Sequence, residues 1–196
     1  MKKRQHGFTM IELIVVIVIL GILAAVALPR FTNVQRDARI AKLNAARGAV
    51  QAASAMVHGA SLARGGVADT DPAGCAGTGT NANNATGAVG NVCTENGRVA
   101  TVFTYPSSAV GLGNAVPGIV GAAGLTSIFS PNNAQLNAEG YGVTVAGGVT
   151  TISVIGGPGT VGGANNRNNP TCSFAYTDPP QANTAPVLGV NNVVGC

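Results

Sequence analysis

Tryptophan is absent from this chain of 196 residues, aromatic side chains make up 4% of it, and only 9% of its residues are charged. So little charge would favour aggregation of a free soluble enzyme, and it suits a subunit that packs against copies of itself. Lys2, Lys3 and Arg4 supply three of the eleven basic side chains, so the eight that remain stand against seven acids. The composition therefore gives no electrostatic footprint for nucleic acid.

Groups of metal-binding or catalytic residues are also missing from the sequence. No cysteine belongs to a CxxC pair, and His58 is the only histidine after residue 6. The glycine-rich run 156–163 lacks the Lys-Ser/Thr ending of a phosphate-binding loop. Because no nucleophile and base occur together, we expect no metal, no cofactor and no enzymatic activity.

An apolar run near the start of the chain is its most informative feature. Residues 8–28 read FTMIELIVVIVILGILAAVAL, and Glu12 is the single charge among them. As a helix the run would extend about 31 Å, which is enough to cross a bilayer. Placing a carboxylate in lipid costs free energy, so the presence of Glu12 in this run indicates that the residue has a function. The basic residues before the run favour retention of that end in the cytoplasm and export of the rest.

The basic leader, the Gly7-Phe8 junction and Glu12 together resemble the leader of type IV pilins and of type II secretion pseudopilins. The similarity continues from Val16 to Ala25. It implies that a prepilin peptidase cleaves after Gly7 and methylates the new amino terminus of Phe8. Two simpler interpretations, a secretory signal cleaved after residue 27 and a plain membrane anchor, leave Glu12 without a purpose.

The same resemblance assigns roles within the apolar run. It implies that Glu12 meets the terminal amine of a neighbouring subunit during assembly; a carboxylate that is simply protonated in the membrane is the alternative. It also implies that the helix opens near Gly21 and Pro29 when subunits pack in a filament. Glycine is common in membrane helices without such a purpose, so for Gly21 both interpretations stay open.

The pattern predicts an α+β fold in which one long helix packs on a small antiparallel sheet, as in the pilin fold. We expect a leader at 1–7, a transmembrane half of the helix at 8–28, an amphipathic half at 29–58 kinked near Pro29, and a head domain at 59–196. Eight residues recur at three- and four-residue steps and predict the face that packs on the head: Phe31, Val34, Ala38, Ala41, Ala45, Ala49, Ala52 and Met56.

Strands are predicted at 99–105, 141–146, 149–155, 172–177 and 187–194. The Gly147-Gly148 pair predicts a hairpin between the second and third of these. Residues 66–98 and 156–170 are interpreted as loops, and the connection 106–131 as containing a short helix.

Four cysteines fit an oxidising exterior and allow three pairings. Cys75–Cys93 and Cys172–Cys196 close local loops of around twenty residues, each stabilising by about 3 kcal/mol in the chain-entropy model, and we expect these two. In type IV pilins a carboxy-terminal disulfide commonly bounds a variable surface region, and Cys172–Cys196 would occupy that place.

Within the family, residues 29–39, the strand at 99–105 and the ending from Cys172 to Cys196 resemble mannose-sensitive haemagglutinin-type pilins, which implies a filament that attaches to surfaces. The resemblance implies four kinds of partner: further copies of the chain, the prepilin peptidase, the membrane before assembly, and an inner-membrane platform with its ATPase. It places the unassembled subunit in the inner membrane with a periplasmic head, and the assembled one in an extracellular pilus.

Two rival functions are carried forward. The first is a type II secretion pseudopilin; such subunits generally lack the carboxy-terminal disulfide and carry a calcium site near that end, where Asp178 is the only acid after Glu139. The second is a membrane-anchored periplasmic domain that binds or catalyses.

Overall fold

Helix α1 dominates the described part of the chain, which is residues 8–64 and 85–196 of a computed structural model. It spans Met10–Ala63, 54 residues, and continues through Pro29 and Gly59. The sequence predicted an end near His58, but alanine and leucine after Gly59 are strong helix formers and extend the helix by a further turn. A kink near Pro29 stays a prediction.

Short antiparallel strands and two short helices make up the rest of the described residues. The sheet orders are β1-β2-β3, β4-β5-β8-β9 and β6-β7. This arrangement confirms the predicted α+β fold with one long helix. The elements after α1 are β1 (Gly90–Thr94), β2 (Gly97–Val102), β3 (Tyr105–Pro106), α2 (Ile119–Ala122), α3 (Asn133–Ala138), β4 (Tyr141–Ala146), β5 (Val149–Val154), β6 (Val161–Gly163), β7 (Asn166–Asn168), β8 (Ser173–Thr177) and β9 (Val187–Leu188).

The hairpin predicted from Gly147-Gly148 is confirmed. Ala146 pairs with Val149, so the loop has two residues. Both glycines have positive φ, 57° and 75°, as the favoured two-residue hairpin turn requires. β8 then pairs with β5, which places the carboxy-terminal strands beside this hairpin.

Three strand predictions need correction. The strand expected over 99–105 is broken by a turn at Phe103-Thr104, whose positive φ values of 46° and 75° the residue types do not signal. The loop expected over 66–98 contains β1, which pairs with β2 across a Glu95-Asn96 turn. The loop expected over 156–170 contains the β6–β7 ribbon. Backbone pairing alone defines this ribbon, and amino-acid composition does not indicate such pairing.

The short helix expected in 106–131 is α2, and α3 was missed. α3 begins with a capping box in which the Asn132 side chain accepts from the Gln135 N–H, and the Gln135 side chain accepts from the Asn132 N–H. Two orphan donors of the helix are satisfied in this way. The Asn-x-x-Gln spacing was the available signal.

The face of α1 that packs on the sheet differs from the predicted one. Phe31 and Val34 are exposed, and so are most of the predicted alanines. An alanine-rich helix is apolar on several faces. The face with larger side chains packs on the sheet because it buries more apolar area. The residues that pack are Leu43, Ala46, Val50, Ala53 and Val57.

The chain divides into two compact units, Met1–Ala38 and Arg39–Cys196. All sheets and the core belong to the second. Its main core joins the α1 stripe to Leu136, Ile152, Phe174 and Tyr176, and a smaller cluster contains Val57, Ala85, Val92 and Val99. The predicted segment borders at residues 7, 28 and 58 stay predictions.

A matched pair of substitutions on α1 tests which face is buried. Leu43→Ala should lower the free energy of unfolding by about 2–5 kcal/mol, because Leu43 is fully buried. Met56→Ala, at a side chain that is 67% exposed, should change it by no more than about 0.5 kcal/mol. Chemical denaturation of the full chain in detergent measures both. Equal losses would contradict the assignment of the buried face.

Candidate assembly and surface sites

The first turn of α1 holds Glu12 in a capping box. Oε2 of Glu12 accepts from the Thr9 N–H at 2.9 Å and from the Thr9 hydroxyl at 2.7 Å, while the Glu12 N–H approaches the Thr9 hydroxyl at 3.4 Å. Thr9 stands directly before the helix, and Glu12 is its third residue. One carboxylate oxygen is thus engaged within the subunit.

The predicted processing site lies at the edge of the described residues. Phe8 is exposed and precedes the helix, whereas Gly7 lies outside the described ranges. The junction therefore stays a prediction from the sequence.

The apolar half of α1 exposes its side chains among the described residues. Between Met10 and Leu28 the large apolar side chains are 46–78% exposed. The helix is long and apolar enough to cross a membrane. A Cβ built at Gly21 would meet nothing within 4 Å, so the subunit itself does not require a glycine there. The roles predicted for Gly21 and Pro29 stay predictions.

At the other end of the sequence, Cys172 and Cys196 form the expected disulfide. Both are buried in the main core. Cys93 is also disulfide-bonded; Cys75 lies outside the described residues, so the Cys75–Cys93 pairing stays a prediction.

A buried asparagine next to this disulfide fixes the backbone around it. Asn169 has no exposed surface, and its Nδ2 donates to the Gly195 carbonyl at 3.0 Å. Its Oδ1 accepts from the Thr171 hydroxyl at 2.9 Å, and its N–H donates to the Ser153 hydroxyl. A buried amide with partners on both ends favours one arrangement of the chain.

Polar side chains of α1 hold the carboxy-terminal segment 187–196. Arg39 Nε donates to the Cys196 carbonyl, and Arg47 Nε donates to the Gly189 carbonyl at 3.1 Å. Asn191 Nδ2 donates to Oδ1 of Asn44 at 2.6 Å. The segment therefore runs along the helix and is held at three successive points.

Asp178 follows β8 and supports a neighbouring loop. Its Oδ1 accepts from the Ser108 N–H at 2.6 Å, and the Ser108 carbonyl accepts from the Thr150 hydroxyl. Burial raises the pKa of the Asp178 carboxyl, and the hydrogen bonds from Ser108 offset part of the rise. Among residues 8–64 and 85–196, no three His, Cys, Asp or Glu side chains gather as a metal site.

Residues 2–28 match a family model, described as the prokaryotic N-terminal methylation motif. The start of the chain therefore carries an N-terminal methylation motif. The motif covers Gly7, Phe8, Glu12 and Gly21, and ends one residue before Pro29.

Curated relatives of the motif are pilus components. The chain is 49% identical over 53 residues to the type IV narrow pilus major component PilA5 of Thermus thermophilus, which covers 27% of this chain and 46% of that protein. It is 41% identical over 69 residues to the fimbrial protein EcpB of Eikenella corrodens, 35% of this chain and 41% of that protein. It is 40% identical over 53 residues to the type IV major fimbrial protein FimA of Dichelobacter nodosus, 27% and 34% of the two chains.

The matched segments span less than half the length of these relatives. No solved structure matches the chain. The similarity to these relatives therefore covers 27–35% of this chain.

Sequence reasoning identified Glu12 and overlooked the residues that support the sites. Thr9 was detectable, since Thr-x-x-Glu before an apolar run is the signature of a capping box. For Arg39, Asn44 and Arg47, only the fold shows which groups of the carboxy-terminal segment they contact. Asn169 had no signal, because the sequence does not show that it is buried.

The raised pKa of Asp178 predicts a pH-dependent stability. Because the folded pKa exceeds the unfolded one, the folded chain keeps the proton to higher pH. The free energy of unfolding of the native chain, measured relative to Asp178→Asn, should be greatest below the ordinary aspartate pKa of about 3.9 and fall as pH rises through the folded value. Thermal unfolding of both full chains in detergent across this range measures it, and parallel curves would contradict the assignment.

Proposed function

We propose that the chain is a structural subunit of an extracellular type IV pilus. The observation that carries the proposal is the apolar half of α1, exposed throughout in the single subunit and headed by the methylation motif with Glu12. In an extracellular filament, burial of that surface among copies of the helix keeps it from water, where its exposure would cost roughly 25 cal/mol per Å². The named relatives, which are pilus components, support a structural role without enzymatic activity.

The proposed sequence of events begins in the inner membrane. The prepilin inserts with residues 1–7 in the cytoplasm and its head in the periplasm. The prepilin peptidase removes the leader and methylates Phe8. An assembly platform driven by a cytoplasmic ATPase then moves the subunit from the membrane into the filament.

Within the filament, we assign Glu12 to the amine of a neighbouring Phe8. A carboxylate buried among apolar helices needs an opposite charge to offset its desolvation. Thr9 donates hydrogen bonds to Oε2 of Glu12, and the ammonium of the neighbouring Phe8 would supply the opposite charge.

The finer assignment is a pilin of the mannose-sensitive haemagglutinin type, which attaches to surfaces. It rests on the resemblance of residues 29–39 and of the ending. The rival pseudopilin assignment is supported less well, because the Cys172–Cys196 disulfide is present and Asp178 is engaged by Ser108. A membrane-anchored binding or catalytic domain would leave the methylation motif without a purpose.

Intact mass and amino-terminal sequencing of material sheared from the cell surface test the proposal. We expect an abundant chain that begins with methylated Phe8 and contains intact disulfides. The same chain confined to the inner membrane would indicate a pseudopilin. An intact Met1, or a start after residue 27, would refute processing at Gly7.

Two substitutions separate the charge of Glu12 from its capping role. Glu12→Gln removes the charge and can keep the capping box, since glutamine serves at this position. Thr9→Val removes the hydroxyl contacts of the box and keeps the charge. If the charge drives assembly, Glu12→Gln should abolish sheared filaments while the processed subunit stays in the membrane, and Thr9→Val should still form them. The reverse pattern would show that Glu12 acts only as a cap.

A further inference from the structure

A groove runs between α1 and the loop 178–186 on one flank of the helix. It consists of two adjoining hollows of about 400 and 670 Å³ that share His58, Tyr105 and Ala185. Arg47 and Gln51 line it from the helix side. We call this feature the flank groove.

The floor of the flank groove is preformed. The His58 and Tyr105 rings stack with centroids 4.1 Å apart and planes 4° from parallel. His58 Nδ1 also lies 2.8 Å from the Thr104 hydroxyl, and the Ser61 hydroxyl donates to the Thr104 carbonyl. Thr104 adopts a φ of 75°, a strained value for a β-branched residue that these contacts hold in place.

The described lining of the flank groove carries no acidic side chain. It includes Arg47 and His58 but, within residues 8–64 and 85–196, neither aspartate nor glutamate. Arg47 uses Nε for the Gly189 carbonyl and remains a cation. Asp178, at the start of the bordering loop, is engaged by the Ser108 N–H. The groove therefore fits an anionic group.

An acidic tip lies on the opposite flank of α1. The β1–β2 hairpin turns at Glu95-Asn96, and both residues are exposed. Gly97 fixes the turn, because it has a φ of 132° and a Cβ there would lie 2.8 Å from the Phe129 ring. Among the described residues Glu95 has no ion-pair partner, although Arg64 lines the same hollow.

Helical geometry places the tip and the groove on roughly opposite sides of the buried stripe. At about 100° per residue, each set of lining positions forms one line along α1, and the two lines lie about 145° apart. Both features occupy the same stretch of the helix. The tip lies beside positions 53, 56, 57, 60 and 64, and the groove beside positions 47, 51, 54, 58 and 62.

We propose that the Glu95-Asn96 tip of one subunit docks into the flank groove of the next copy of this chain. The charges are complementary, and each partner is held rigidly by its own subunit. Two different surfaces on opposite flanks make a heterologous contact, which repeats without closing into a dimer. The inference rests on the proposed pilus function and names the contact between neighbouring heads.

Cysteine cross-linking of whole filaments tests the contact. Glu95→Cys combined with Ala185→Cys, at the exposed rim of the groove, should give a ladder of dimers, trimers and longer chains after mild oxidation. Glu95→Cys combined with Val161→Cys, an exposed site in β6, is the matched control and should give none. Cys93, Cys172 and Cys196, the cysteines in the described residues, are all disulfide-bonded, and the native chain oxidised in the same way shows any background ladder.

Absence of filaments from the native chain would refute both the pilus function and the contact. Native filaments without a ladder in the Glu95→Cys/Ala185→Cys chain, or with dimers alone, would overturn only the contact.

Charge substitutions provide an independent measurement. Glu95→Gln should lower the yield of sheared filaments about tenfold, the effect of one close charge pair, while Glu139→Gln, at another exposed acid, should not. Glu95→Lys should lower the filament yield further. Adding Gln51→Glu in the groove of the Glu95→Lys chain should restore part of that yield. Normal yields in both Glu95 variants would overturn the proposal, and loss of surface attachment in those same variants would assign the tip to an external ligand instead.

Discussion

Apolar burial along one line of α1 is the interaction on which the head depends. Leu43, Val50 and Val57 lie in the two cores, and the strands, the short helices and the disulfide are arranged around them. The same helix carries a second apolar stretch, from Met10 to Leu28, whose large apolar side chains are exposed in the described part of the chain. One continuous element thus contains a stretch that packs in the core and a stretch that does not, and the proposed function would cover the second with lipid or with copies of the helix.

The few charges of the chain are used close to α1. Arg39, Lys42 and Arg47 each donate to a backbone carbonyl of the head. The carbonyl reached by Lys42 belongs to Glu139, the C-cap residue directly after α3, where helical carbonyls lack partners. Long flexible cations can reach such groups from a neighbouring helix without a dedicated loop. A chain with little charge can therefore still satisfy polar groups at the ends of its elements.

Prediction from the sequence succeeded where a local rule determines the outcome. The apolar run, the Gly147-Gly148 hairpin and the α+β class follow from length, turn chemistry and element order. Prediction failed where several local conformations or helix faces are equally compatible with the sequence and tertiary packing selects one of them. Several faces of the alanine-rich helix fit the same periodicity, and the Phe103-Thr104 turn contradicts the preferences of both residues. Among the candidate site residues, Glu12 was recognisable from its surroundings, whereas Asn169 and Arg47 acquire their partners only through folding.

The attachment of segment 187–196 to α1 has a mechanical consequence. Arg39, Asn44 and Arg47 span nine residues, or about 12 Å of helix. A force applied along α1 would load the three hydrogen bonds of these residues in parallel, so no single hydrogen bond would carry the whole force. From this segment the load would pass through the Cys172–Cys196 covalent bond to the start of β8, and from there into the sheet. The head would therefore resist shear along the helix better than peeling away from it.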